Sequence, residues 1–154
     1  MGVNKKNAEG YQDPTAYEAL TNIVKEERSV RAFKPIVYIC SPFSGNIERN
    51  TAAARDYSRF AVDKGCFPIA PHLLFPQFLD DSDQFERKLG CRFGEILMDR
   101  CAEVWVFGSY ISKGMKAEIQ RAERKGYTVR YFTENLKEVV KDGSSGNARS
   151  KYSV

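Results

Sequence analysis

Histidine is almost missing from this chain: His72 is the only one in 154 residues. None of the four cysteines (Cys40, Cys66, Cys91, Cys101) is spaced as C-x-x-C. With one imidazole and no paired thiols the usual zinc ligand sets cannot form, so no metal is expected. Met1–Asn7 has no apolar signal core, and both Asn7 and the lack of a Ser or Thr at the sixth position of a myristoylation signal argue against that modification. A cytoplasmic chain with reduced, mostly buried thiols is therefore expected. No apolar run approaches the roughly 20 residues that cross a bilayer, so no membrane association is expected. Basic excess is small too. A net charge of +4, evenly spread, argues for anionic small ligands and against a nucleic-acid groove. There are no internal repeats. The first strand-to-helix turn also lacks G-x-G-x-x-G, which disfavours a dinucleotide-dependent dehydrogenase.

What is present is an ordinary globular composition, 42% hydrophobic and 29% charged, of a size to bury one core. Three segments are expected: residues 1–33 as an N-terminal extension with one helix, 34–141 as an α/β domain, and 142–154 as a flexible Gly/Ser/Asn tail. Asp13-Pro14 is a helix start, with Asp as N-cap and Pro at the first helical position. Tyr17, Leu20, Ile23 and Val24 then recur at helical spacing to about Arg31. Their stripe must be covered by the domain or by a second subunit. Apolar runs at residues 35–40, 66–70, 102–107 and 127–132 predict strands, and helices are predicted over 47–64, 84–101, 113–125 and 134–141. Residues 71–83, rich in Pro, Asp and large apolar side chains, are expected to form a functional loop. The alternation implies a single doubly wound parallel sheet of flavodoxin or Rossmann type, a three-layer sandwich.

In such sheets ligands lie beyond the carboxyl ends of the strands. Those ends are Ser41–Asn46, the stretch from Pro71, and Gly108–Gly114. The third is the most telling. A strand ending at Phe107 turns through Gly108 and Ser109 into a helix bearing Met115 and Ile119, which places backbone N–H groups where an anion can bind. Glu118 follows Gly114 by four residues, so both share a face and the carboxylate leans over the space that Gly114 leaves empty. A carboxylate beside a phosphate cradle suggests chemistry on a phosphosugar.

Tyr38-Ile39-Cys40-Ser41-Pro42-Phe43, Glu95 ahead of Cys101-Ala102-Glu103-Val104, and Ser112-Lys113-Gly114-Met115 leading to Glu118-Ile119 and Ala122 resemble the nucleoside 2-deoxyribosyltransferase-like superfamily. They are also similar to the nucleoside 5′-monophosphate N-glycosidases. The resemblance covers residues 35–132. It implies that Glu118 is a nucleophile forming a covalent glycosyl-enzyme, and that Tyr38 bonds to it or to the sugar. Glu95 falls where the family has an aspartate that orients the nucleophile and protonates the leaving base. Asp99, one helical turn on, is a rival; two carboxylates held close would raise one pKa, as an acid catalyst needs. Ser112 matches the serine that holds the 5′-phosphate. No cofactor is implied, and a homodimer is. The C-terminal asparagine that some transferases of the superfamily borrow from a neighbouring subunit has no match near Val154.

Further substrate contacts are expected from Gly114, Met115 and Ser109 on the third strand end, and from Ser41, Phe43, Ser44, Gly45 and Asn46 on the first. His72, just past a strand, either touches substrate or plays a structural part. Phe43, Phe75 and Phe78 either stack on a base or fill the core. The reading is a hydrolase cleaving the N-glycosidic bond of a nucleoside 5′-monophosphate. Base exchange and a non-catalytic nucleotide sensor are the alternatives.

Overall fold

The computed structural model describes residues 14–140, and the expectations for residues 1–13 and 141–154 lie outside the described residues. The chain divides into two units, parted between Phe33 and Lys34. In the first, Pro14 opens the helix α1 (Pro14–Arg31), none of whose residues is buried. The Thr21 hydroxyl donates to the Tyr17 carbonyl at 2.8 Å, and Leu20 and Ile23 on the apolar stripe are half exposed. No helix among the described residues is long and apolar enough to cross a membrane.

The second unit runs β1 (Ile36–Cys40), α2 (Ile47–Asp63), β2 (Phe67–Ile69), α3 (Pro71–Leu74), a 3-10 turn Phe75–Gln77, α4 (Gln84–Met98), β3 (Glu103–Phe107), α5 (Lys113–Arg124), β4 (Thr128–Phe132) and β5 (Glu138–Val139). The strands are ordered β2-β1-β3-β4-β5 in one sheet. The first four are parallel, and β5 pairs antiparallel with β4, Val139 opposite Tyr131. This is the flavodoxin-like order, and the expected doubly wound α/β architecture is present. The chain leaves β1 for β2 on one side, then crosses to β3 on the other. The crevice of such a sheet lies where β1 and β3 end.

Alternation along β1 splits the core in two. Tyr38 and Cys40 face α4 and α5, packing with Met98, Val104, Val106, Met115, Ile119 and Ala122. Val37 and Ile39 face α2, with Tyr57, Ala61, Trp105, Phe107 and Phe132. These four of the five β1 side chains are at most 1% exposed, so this strand is the centre of both layers. Each apolar one contributes about 1.5–3 kcal/mol of burial.

Two segments differ from expectation. The stretch predicted as a loop after β2 winds into α3 and the 3-10 turn, because Pro71 and Pro76 supply helical φ at the first turn of each. The helix predicted over 134–141 is instead a turn and β5. Arg130 on β4 binds Glu138 through two hydrogen bonds of 2.8 and 2.7 Å, which draws the chain back as an antiparallel edge. The cysteines also depart from expectation: none is in a disulfide, but only Cys40 is buried, while Cys66 and Cys101 are intermediate and Cys91 is exposed.

Candidate active site

The β1 register decides which side chains meet. Residues two apart on a strand share a face, so Tyr38 and Cys40 point together toward α5. There the Tyr38 hydroxyl donates to Glu118 Oε1 at 2.7 Å. The Cys40 thiol donates to Glu118 Oε2 at 3.1 Å. Each carboxylate oxygen therefore has its own donor, and both donors are fully buried. Burial first, and then the Glu118 charge, push the phenol and the thiol well above their ordinary values. Both keep their hydrogens at neutral pH, as donation requires. Gly94 of α4 makes room for this arrangement, since a Cβ there would lie 3.2 Å from the Tyr38 hydroxyl.

Glu118 itself is only partly buried, one residue before the core residue Ile119. One turn back, a Cβ on Gly114 would meet nothing within 4 Å. Gly114 itself therefore borders open space.

The turn ahead of α5 is tightly bonded. Gly108, at φ +94°, lets the chain leave β3 in a conformation that side chains rarely adopt. Ser109 donates its N–H and its hydroxyl to Glu134 Oε1, at 3.0 and 2.8 Å. These two bonds hold the Glu134 carboxyl below its usual range. Ser112 is the N-cap, its Oγ accepting from the Met115 N–H at 3.2 Å. With that N–H taken and a side chain 1% exposed, Met115 packs as a core residue.

At the first strand end, Ser41 is 1% exposed, and among the described residues its Oγ is buried without a hydrogen-bond partner. An unpaired buried hydroxyl costs about 1–3 kcal/mol, which a ligand group could recover. Asn46 is occupied as the N-cap of α2, accepting from the Arg49 N–H. Gly45, at φ +97°, precedes it. Asn50 clamps the loop by donating to the Phe43 and Ser44 carbonyls, both at 3.0 Å. Ser41, Ser44, Arg49, Asn50, Gly108 and Glu134 contribute to the lining of an open groove of about 680 Å³.

His72 and Phe43 stack, ring centroids 4.9 Å apart and 13° from parallel. Burial holds the imidazole below its ordinary value, while the Glu118 charge and a hydrogen bond with the Ser41 backbone pull it back up. His72 thus feels the carboxylate and belongs to the same neighbourhood. Phe75 packs instead on Phe78 and Phe93.

The second carboxylate is a different matter. Asp99 accepts from Arg121 at 2.7 and 3.1 Å, from Tyr127 at 2.7 Å and from Lys125 at 3.3 and 3.4 Å. The Arg121 and Tyr127 hydrogen bonds hold it far below the usual carboxylate range, opposite to the raised acid expected of one member of a close pair. Asp99 ties the end of α4 to α5 and stays charged. Glu95 lies beside Gly94 and pairs with Arg92 at 2.8 Å on the half-exposed side of α4.

Cys40, Asn50 and Glu134 play parts here that were not expected of them. Cys40 carried a signal, its two-residue offset from Tyr38. Glu134 was hidden inside the expected last helix, and Asn50 stands out from neither its spacing nor its neighbours.

No curated protein matches the chain. Among solved structures it is similar to the 2-deoxyribosyltransferase of the psychrotolerant bacterium Bacillus psychrosaccharolyticus. That likeness has a TM-score of 0.56 at 14% identity, over 69% of this chain and 77% of the other, and it establishes a shared fold. In sequence, residues 35–132 match a domain of unknown function, DUF7768. Since this match begins one residue before β1 and ends with the last residue of β4, it encloses Tyr38, Cys40, His72 and Glu118 alike, and the chain belongs to the DUF7768 family.

Proposed function

We propose that this protein is an N-glycosidase that releases the base from a nucleoside 5′-monophosphate, with Glu118 as nucleophile. The observation that carries the reading is the Glu118 carboxylate, held at both oxygens by buried donors of β1. A carboxylate fixed in this way is preorganised to attack carbon at the anomeric centre. A Glu118 oxygen bonds to C1′ as the C1′–N bond breaks. The base leaves with the bonding pair and takes a proton from water, relayed by Glu95, which is paired with Arg92 on α4. Water then attacks C1′ and gives a proton back to solvent by the same route, and the ester C1′–O bond breaks to restore Glu118.

The anionic end of the substrate fits the N-terminus of α5, where the helix dipole favours negative charge, and the unpaired Ser41 hydroxyl across the crevice. Ser112 contributes by capping that helix. The stacked Phe43–His72 pair offers an aromatic surface for the base.

Base exchange is the second reading, supported by the fold shared with a 2-deoxyribosyltransferase. There a second base replaces water in attacking the glycosyl-enzyme. Chromatography of base release from ribo- and deoxyribonucleoside 5′-monophosphates and their free nucleosides tests both. Release from a monophosphate, abolished in Glu118→Ala, is expected. Release only on adding an acceptor base means exchange, and none under either condition overturns both.

A further inference from the structure

The thiol of Cys40 is not an idle core group. It is fully buried, packed among Val104, Val106, Met115 and Ile119, and its hydrogen is directed at Glu118 Oε2, 3.1 Å away. We propose that Cys40 is a positioning residue, whose S–H locks the second oxygen of Glu118 so that the carboxylate cannot turn about its last bond. This rests on the glycosidase reading above.

A carboxylate held only by Tyr38 at Oε1 could still swing about that single contact. A second donor on the other oxygen, from the same strand two residues on, fixes its plane as well as its place. The residue type suits both demands of the position. A thiol is a small apolar group that packs in a core without a hydration penalty, yet it retains one weak donor. Burial keeps it protonated, so the donor persists through the neutral range. Serine would keep the donor, and alanine would remove it with little change of shape.

The S–H stretch lies in an infrared window clear of other protein bands and moves with hydrogen bonding. In the full-length protein the Cys40 band is assigned as the one lost in Cys40→Ala. It is expected to shift in Glu118→Ala, a change that packing alone does not produce. In turnover, Cys40→Ala is expected to lower kcat about tenfold or more while KM stays within about twofold, the pattern of lost transition-state positioning. Cys40→Ser should restore most of the loss. Denaturant midpoints of both variants show that the fold persists.

A Cys40 band that does not move in Glu118→Ala overturns the proposal. So does a Cys40→Ala protein that turns over like the wild type where Glu118→Ala is inactive. If the wild type itself releases no base, the glycosidase reading fails, and the catalytic part of this inference with it. That failure is visible before any Cys40 variant is made, so the two are distinguishable.

Discussion

At the scale of single residues the site depends on a phenol and a thiol that stay protonated and a carboxylate that accepts from both. Tyr38 is the stronger donor, with an O–H···O contact of 2.7 Å to Glu118. Tyr38→Phe removes that hydrogen and little else, since the ring remains in the core. The variant is expected to lose roughly 10- to 100-fold in kcat with KM nearly unchanged, the value of one hydrogen bond to a charged group. Steady-state kinetics on the best monophosphate measures it. A rise in KM at constant kcat would instead place Tyr38 in ground-state binding. Glu118 was singled out in the sequence by its helical spacing from Gly114, and Tyr38 by the resemblance to the superfamily. Cys40 was not. A cysteine without metal or disulfide partners looks like a core residue; its two-residue offset from Tyr38 puts it on the same face, but the contact with α5 is what shows where its hydrogen points.

At the scale of elements, the open turn of α5 and the α4–α5 staple make opposite predictions. Because a Cβ on Gly114 meets nothing, Gly114→Ala should stabilise α5 by up to about 1 kcal/mol through helix propensity. If substrate fills that space, the same change raises KM several-fold. Denaturant unfolding and kinetics on one sample check both, and an unchanged KM would mean that the substrate lies elsewhere. Asp99 belongs to the staple. Its pKa is lowered in the folded state, so its contribution is present above the unfolded value and is lost as pH falls below about 4. Between about pH 5 and about pH 2 the thermal midpoint of the wild type should fall more steeply than that of Asp99→Asn, while turnover per folded molecule at neutral pH is kept. An Asp99→Asn protein of unchanged stability and lost turnover would restore Asp99 as an acid. The parallel strands were legible because buried central strands are continuous apolar runs. The last element was not. Leu136, Val139 and Val140 fit a helical spacing, and the cross-strand pairing of Arg130 with Glu138 is a long-range fact that local periodicity does not contain.

At the scale of the whole molecule, the sheet that carries the site lies within the unit beginning at Lys34. A chain lacking residues 1–33 is therefore expected to fold cooperatively, with a denaturant midpoint close to that of the full protein. We propose that the full chain is a homodimer whose contact is the apolar stripe of α1. Light scattering should then give a dimer for the full chain and a monomer for the shortened one; equal particle masses per chain would contradict it. The doubly wound architecture was legible from the β–α alternation. The crevice between the ends of β1 and β3 followed from it, before any side-chain contact was known.

The central claim is a covalent bond between Glu118 and the sugar, and rapid-quench mass spectrometry of the enzyme in turnover tests it most directly. The account predicts a transient adduct with the mass of one (deoxy)ribose 5-phosphate less one water, mapped to the peptide containing Glu118 and absent from Glu118→Ala. Base release without any adduct, persisting in Glu118→Ala, would contradict it.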